Sequence, residues 1–114
     1  MKRDFRVYVQ DILEAIRRID EYLEGLTFEE FSKDNKTVDA VIRNFAIIGE
    51  ATKHIPIGIK RKHREISWKR MDGMRDKLIH EYFGVDLQIL WDTSKIDLPA
   101  SKPLLERLLE ETEK

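Results

Sequence analysis

The sequence contains no cysteine and few of the residues that break helices. The absence of cysteine excludes disulfides, thiolate nucleophiles and cysteine-based zinc sites. A chain without disulfides fits a reducing compartment. Only 5 of the 114 residues are glycine and 3 are proline, so few positions oblige the chain to turn. Charged residues make up 38% of the chain, and most of them tolerate or favour helix. The composition predicts an all-α protein.

An excess of one charge sign and a long apolar run are missing as well. The 21 basic and 22 acidic side chains give a formal net charge of -1, so any anionic ligand must be held locally. The first residues, MKRDFRVYVQ, acquire charge before any apolar run long enough for a signal peptide or a membrane span. We expect a cytoplasmic protein without membrane association. Its 41% hydrophobic residues suffice for one core, which predicts a single domain over residues 1–114.

Two long segments show apolar residues at spacings of three and four, which indicates amphipathic helices. The first starts near Phe5 and is closed by Gly25. The second is TVDAVIRNFAIIGEATKHIP, in which the interior Gly49 predicts either a close helix approach or a tolerated glycine. Between them, Thr27 and Glu30 predict a capping box that opens a short helix.

The second half of the chain predicts further helices. Residues 57–66 are interpreted as a short basic turn or helix, and Ser67 caps a helix that runs to about Tyr82. Asp86 caps the next helix. A break is expected around IDLPAS, with a last helix from about Ser101, because proline is best tolerated near a helix start. The predicted architecture is a helical bundle of about five to six helices.

The stretch MRDKLIHEYF carries Arg75, Asp76, His80 and Tyr82. Asp76 and His80 are four residues apart, so on a helix the carboxylate can hydrogen-bond the imidazole and fix its tautomer. A neutral imidazole can take the proton of a ribose 2′-hydroxyl, and a guanidinium can hold the phosphate as charge develops. This chemistry requires no metal or other cofactor. The plain alternative for His80 is a surface or helix-capping residue.

The segments IGEATKHIP and ISWKRMDGMRDKLIHEYFGVDLQILW resemble the HepT-like toxins of the HEPN superfamily. The signature of that superfamily is arginine, four residues, histidine, one residue and tyrosine, matched by Arg75, His80 and Tyr82. The similarity extends from DILEAIRRIDEYLEGLTFEEF to DLPASKPLL. It implies a homodimeric helical bundle acting as a metal-independent ribonuclease, with the motifs of two subunits facing each other. Arg75 would clamp phosphate, His80 would act as general acid or base, and Asp76 would orient the histidine.

The resemblance also implies a partner and a modification. In such toxin-antitoxin pairs, which are of type VII, an MntA-like nucleotidyltransferase antitoxin transfers AMP to the motif tyrosine, here Tyr82. The added phosphate would block RNA and occupy Arg75. The plain alternative for Tyr82 is a half-buried aromatic. Asp76 stands where the superfamily often has asparagine, and a carboxylate near phosphate predicts reduced activity or strict dependence on the dimer.

Six basic residues precede the motif, and we name them the basic cluster: Lys60, Arg61, Lys62, Arg64, Lys69 and Arg70. They are the best candidate for binding the RNA backbone, although a solvated helical face fits the same pattern.

Five further positions receive structural interpretations, and no metal site is predicted. His54 and His63 lack metal-ligand spacing and are interpreted as surface residues. Trp68 and Trp91 are interpreted as anchors of the core or of a dimer interface. Glu50 is a candidate cleft-lining carboxylate.

Two other functions fit the sequence. One is a non-catalytic helical dimer that binds and regulates a nucleotidyltransferase. The other is a nucleotide-binding module that holds a mononucleotide through Arg75 and the basic cluster.

Overall fold

The computed structural model describes residues 4–73 and 86–112, and these form an all-α bundle. Its elements in chain order are α1 (Phe5–Leu23), α2 (Phe28–Lys33), α3 (Asn35–Lys53), α4 (Ile57–Lys62), α5 (68–73), α6 (Leu87–Asp92), a π-helical turn (Thr93–Asp97) and α7 (Leu98–Glu111). This part of the chain contains no strand, so the predicted fold class is confirmed. Within it, no helix is both long enough and apolar enough to cross a membrane.

The core lies chiefly between the two long helices, α1 and α3. Each contributes one apolar stripe, as the spacing of three and four predicts. The buried members include Val9, Ile12, Ile16 and Ile19 of α1 and Val41, Phe45 and Ile48 of α3. Gly49 is also buried in α3. Helix α7 covers another side of α1, with Leu105 and Leu108 fully buried.

Helix ends follow the predicted caps. The Thr27 hydroxyl accepts a hydrogen bond from the Glu30 amide at 3.1 Å, and the Glu30 carboxylate accepts one from the Thr27 amide at 3.0 Å. This confirms the capping box. Asp34 is both the C-cap of α2 and the N-cap of α3, and hydrogen bonds from Thr37 lower the pKa of its carboxyl. Gly25 ends α1 with a left-handed φ of 79°.

The break expected around IDLPAS is wrong. Helix α6, the π-helical turn and α7 form one continuous helical run, and α7 begins at Leu98 rather than near Ser101. Pro99 lies in the first turn of α7 and Pro103 lies inside the helix with an exposed ring. Burial of the leucines on the opposite side outweighs the hydrogen bond that Pro103 cannot make.

The π-helical turn corrects the register of this run. Leu90, Leu98 and Leu105 are all buried, although the first two are eight residues apart and the last two are seven apart. At about 100° per residue, eight residues of α-helix would rotate Leu98 by roughly 80° from Leu90. The wider π-helical turn absorbs the extra residue, so the three leucines share one face.

Replacement of Gly25 by alanine tests the left-handed end of α1. We expect Gly25→Ala to lower the free energy of unfolding by roughly 1–2 kcal/mol, because a Cβ is disfavoured at positive φ. Gly58→Ala is the matched control, since a Cβ at Gly58 meets nothing within 4 Å and its φ is not positive. Urea denaturation measures both variants. Equal stability of the two would contradict the role of Gly25.

Candidate functional site

The four residues of the predicted catalytic and modification site lie outside the described residues. Arg75, Asp76, His80 and Tyr82 all belong to the segment 74–85, as does the predicted end of the motif helix near Tyr82. The structure instead describes the elements on either side of this segment. Helix α5 leads directly into it, and Asp86 follows it as the N-cap of α6, accepting hydrogen bonds from Gln88 and Ile89.

Helix α5 is anchored in the core at its start. It begins at residue 68, directly after Ser67 as predicted, and the Met71 amide donates to the Ser67 carbonyl at 3.1 Å. Trp68 and Met71 are buried. The Trp68 indole N–H donates to the His63 carbonyl at 3.0 Å, which joins α5 to the preceding loop. The interpretation of Trp68 as a core anchor is confirmed.

Two ion pairs connect α5 with other elements. The Arg70 guanidinium Nη1 lies 2.8 Å from Asp97 Oδ2, in the π-helical turn. The Asp72 Oδ1 lies 3.9 Å from Lys53 Nζ, at the end of α3. This Asp72 oxygen is buried and accepts no hydrogen bond from the described part of the chain. Helix α5 is therefore in polar contact with α3 and with the π-helical turn.

The basic cluster extends over α4, the following loop and the start of α5. Lys60 is partly exposed, and the other members are exposed. Arg70 is paired with Asp97, whereas the remaining five form no ion pair with any residue of 4–73 or 86–112. Three of these cations occupy the last turn of α4, where they also complement the helix dipole. Five cations of the cluster are thus not neutralised by an ion pair within the described part of the chain.

His63 is not a surface residue, contrary to the sequence interpretation. It is buried, with 9% of its surface exposed. Its Nδ1 lies 3.6 Å from Glu65 Oε1, and its Nε2 lies 3.8 Å from Glu111 Oε2. The interpretation failed because the loop that carries His63 folds under the end of α7, a contact between residues distant in the sequence.

His54 is exposed as predicted and belongs to a cleft between α1 and α3. Its ring stacks on Tyr8 with centroids 4.8 Å apart and an interplanar angle of 15°, and its Nε2 lies 3.4 Å from Glu50 Oε1. The cleft has a volume of about 300 Å³ and is also lined by Asp11, Ile47 and Ala51. Glu50 is therefore a cleft-lining carboxylate, as predicted.

Sequence reasoning missed Tyr8 and Asp11 as members of this cleft. They are three residues apart on α1, which places them on one face. That spacing was the available signal, but the choice of α3 as the facing helix depends on tertiary packing.

Trp91 is partly buried and packs against α2. Its ring centroid lies 6.0 Å from that of Phe28 and 5.3 Å from that of Phe31. The Lys95 ammonium lies 5.3 Å from the ring centroid, within the range of a cation–π contact. Trp91 is therefore an anchor between α6 and α2, in agreement with a core role.

Comparison with known proteins agrees with this all-α architecture. The Ribonuclease HepT-like family matches residues 12–108. A protein of Thermococcus cleftensis named "Probable ribonuclease HepT" is 53% identical over 108 residues, which cover 95% of this chain and 98% of that protein. Relatives named as candidate RNases occur in Methanocaldococcus jannaschii (40% identical over 112 residues; 98% and 93% covered) and Caldanaerobacter subterraneus (40% over 105 residues; 92% and 94% covered).

No solved structure gives a significant match. The match to the family profile spans most of the sequence, and the relatives align over nearly their full length. The chain therefore belongs to the Ribonuclease HepT-like family of the HEPN superfamily.

Proposed function

We propose that this protein is a metal-independent endoribonuclease that acts as a homodimer. The observation that carries the proposal is the family match over residues 12–108, within which Arg75, His80 and Tyr82 keep the spacing of the superfamily signature. The ribonuclease name of the relative that is 53% identical supports the same activity. Asp76 completes the proposed site as the residue that orients His80.

The proposed reaction is an attack by the ribose 2′-hydroxyl on the adjacent phosphorus. One His80 imidazole takes the hydroxyl proton, and the His80 of the second subunit, in its protonated form, gives a proton to the departing 5′-oxygen. Arg75 stabilises the charge that develops on the phosphate oxygens. The P–O5′ bond breaks, leaving a 2′,3′-cyclic phosphate and a 5′-hydroxyl. Two subunits supply the acid, the base and the clamps that one helix cannot present together.

The RNA backbone would be bound by the five members of the basic cluster that have no ion-pair partner among the described residues. They are Lys60, Arg61, Lys62, Arg64 and Lys69. Because the formal net charge of the chain is only -1, attraction of RNA depends on this local concentration of cations. The cluster lies immediately before the motif in the chain, so a bound strand would be led toward the cleavage site.

Control of the activity is assigned to Tyr82. A nucleotidyltransferase antitoxin of the MntA type would transfer AMP to its hydroxyl, which would make the pair a type VII toxin-antitoxin system. The modification adds a phosphate and a nucleoside beside Arg75, so it competes with RNA for the guanidinium and fills the site.

A second candidate function is a non-catalytic dimer that binds and regulates the nucleotidyltransferase. The presence of Asp76 favours it, because a carboxylate beside the scissile phosphate adds repulsion.

Replacement of His80 tests the enzyme. In excess EDTA, wild type should cleave a labelled RNA pool and leave 2′,3′-cyclic phosphate ends, whereas His80→Ala should be slower by about 10²-fold or more. His54→Ala is the matched control, because His54 is an exposed histidine outside the motif. Equal cleavage by wild type and His80→Ala, or no cleavage by either, would overturn the proposal.

Removal of two cations tests the basic cluster. The double variant Arg61→Ala/Arg64→Ala should raise the KM for RNA, and the slope of log affinity against log salt should fall by about 1 for each phosphate that is no longer neutralised. Lys36→Ala, an exposed cation on the remote end of α3, should change neither quantity. Indistinguishable salt dependence in the double variant and wild type would assign the cluster to a solvated face.

Incubation with the nucleotidyltransferase and ATP tests Tyr82. Mass spectrometry should find AMP units on Tyr82, with RNA cleavage abolished in parallel because the site is filled. Tyr82→Phe should stay unmodified. Modification at Tyr8 or Tyr22 in place of Tyr82, or full cleavage by the modified protein, would contradict this role.

A further inference from the structure

The two long helices share a face along one side of their contact. Spacings of three and four residues bring six side chains together on it, and we name them the seam face: Asp11, Ala15, Arg18 and Tyr22 of α1, and Asn44 and Ile47 of α3. All of them except Tyr22 line a surface cleft of about 200 Å³, and Tyr22 is 39% exposed. Each helix has 19 residues and is roughly 28 Å long, so the face spans several helical turns.

Asn44 leaves a buried acceptor unsatisfied at the centre of the seam face. The residue is 3% exposed, and its side-chain Nδ2 donates to the Ala40 carbonyl of the same helix at 2.9 Å. Its Oδ1 is buried and accepts no hydrogen bond from any residue that the structure describes. Such a group costs free energy until a donor reaches it, and native proteins retain few of them. Between packed helices, a single asparagine can fix the register and the number of chains.

Charge changes sign along the seam face on both helices. Asp11 and Arg18 are seven residues apart on α1, and Arg43 and Glu50 are seven apart on α3. Seven residues make about two turns, so each pair lies on one side of its helix. Asp11 and Glu50 line the same cleft, whereas Arg18 shares the other cleft with Asn44, the residue after Arg43. One end of the face is therefore acidic and the other end is basic.

The two cations at the basic end are accessible to a partner. The Arg18 side chain is 50% exposed and contacts Glu14 of its own helix at 3.2 Å, but a guanidinium has five N–H donors. Arg43 is exposed and forms no ion pair within residues 4–73 and 86–112. The basic end can thus accept carboxylates from another molecule.

The apolar part of the face also suits burial by a partner. Ile47 is only partly buried in the single chain, and Tyr22 is among the few large apolar side chains that are exposed. Covering both removes apolar surface from water, and tyrosine is enriched among the residues that contribute most to binding. Ala15 is small, so it lets another helix approach closely.

The polarity of the face matches a second copy of the same chain. In a two-fold interface, residue i of one copy contacts residue j of the other, and j contacts i. An axis beside Asn44 would therefore place the acidic end of each copy against the basic end of the other. The same axis brings the two Asn44 amides together. Because an amide group has two N–H donors, each Asn44 can keep its bond to Ala40 and donate to the Oδ1 of the second copy.

We infer that the seam face is the interface of a two-fold dimer of this chain. Asn44 lies on the axis, and Arg18 and Arg43 of each copy face Asp11 and Glu50 of the other. The inference rests on the proposed function in one respect, the homodimer, and deepens it by naming the surface through which the two copies meet.

Replacement of Ile47 tests the surface. Sedimentation equilibrium should show that Ile47→Glu raises the dimer dissociation constant by about 100-fold or more, because two like charges would meet near the axis. Ile57→Glu is the matched control, since Ile57 is 63% exposed and belongs to α4, so this variant should dimerise like wild type. Circular dichroism and thermal melting establish that both variants fold.

Paired charge reversals test the two-fold arrangement. Arg18→Glu/Arg43→Glu makes both ends of the face acidic, and Asp11→Lys/Glu50→Lys makes both ends basic. Each protein alone should be monomeric, because like charges would meet at both ends. An equimolar mixture should form a one-to-one heterodimer, which native mass spectrometry distinguishes from either homodimer when one protein carries a tag.

The matched control for the reversals is Arg61→Glu/Arg64→Glu. It makes the same change in net charge as the acidic variant but lies outside the seam face, so it should stay dimeric. The reversals at Arg18 and Arg43 replace exposed side chains, so the test stays decisive if Ile47→Glu does not fold.

Four results would overturn the inference. They are a monomeric wild type, a folded Ile47→Glu that dimerises like wild type, reversal variants that do not associate when mixed, and a control double variant that is equally monomeric. Cleavage of RNA, measured on the same preparations, separates the two claims. A dimeric wild type that cleaves no RNA removes the ribonuclease and leaves the interface. An active, dimeric wild type whose seam-face variants all stay dimeric removes only the interface.

Discussion

The apolar contact between α1 and α3 is the constraint on which the other elements depend. Both helices are 19 residues long, and each fully buried aliphatic side chain along their interface contributes roughly 1.5–3 kcal/mol. Ile12, Ile16 and Ile48 are completely buried, so neither helix can shift lengthwise without exposing part of its stripe. Among the other described elements, α2 packs on α3 and α7 packs on α1, and such short or proline-containing helices gain their stability from tertiary packing.

The elements around the proposed site are held by a different kind of contact. Helix α5 has two buried residues at its base, and polar contacts extend from it to the end of α3 and to the π-helical turn. Its orientation is thus set by groups from widely separated parts of the sequence. These contacts join α5 to the end of α3 and to the π-helical turn.

Local signals were sufficient to predict much of the fold. The Thr27 capping box, the Asp86 cap and the glycine end of α1 depend on residues within four positions of each other, and all three are present. The all-α class and the two long helices followed from apolar spacing. The family relationship was also visible in the sequence, because Arg75, His80 and Tyr82 keep a defined spacing. The structure of the segment 74–85 stays a prediction.

Features that depend on distant contacts could not be predicted. The prolines suggested a break, because the sequence does not show that burial of Leu98 and Leu105 would hold the helix together. The π-helical turn follows from leucine spacings of eight and seven, a pattern that has meaning only if all three leucines share one face. The exposure of His63 was predicted wrongly because Glu111, 48 positions further along the chain, lies beside it. The sequence did not distinguish Arg70 from the other five cations of the basic cluster, because its ion-pair partner, Asp97, is 27 positions away.

The double role of Asp34 has a mechanical consequence. A single residue ends α2 and begins α3, so no flexible linker separates the two helices. The orientation of α2 relative to α3 is therefore fixed at this residue. Within α2, the rings of Phe28 and Phe31 contact the ring of Trp91 in α6. A displacement of α6 would therefore move α2 and, through Asp34, the first turn of α3. The three helices are thus expected to move together rather than independently.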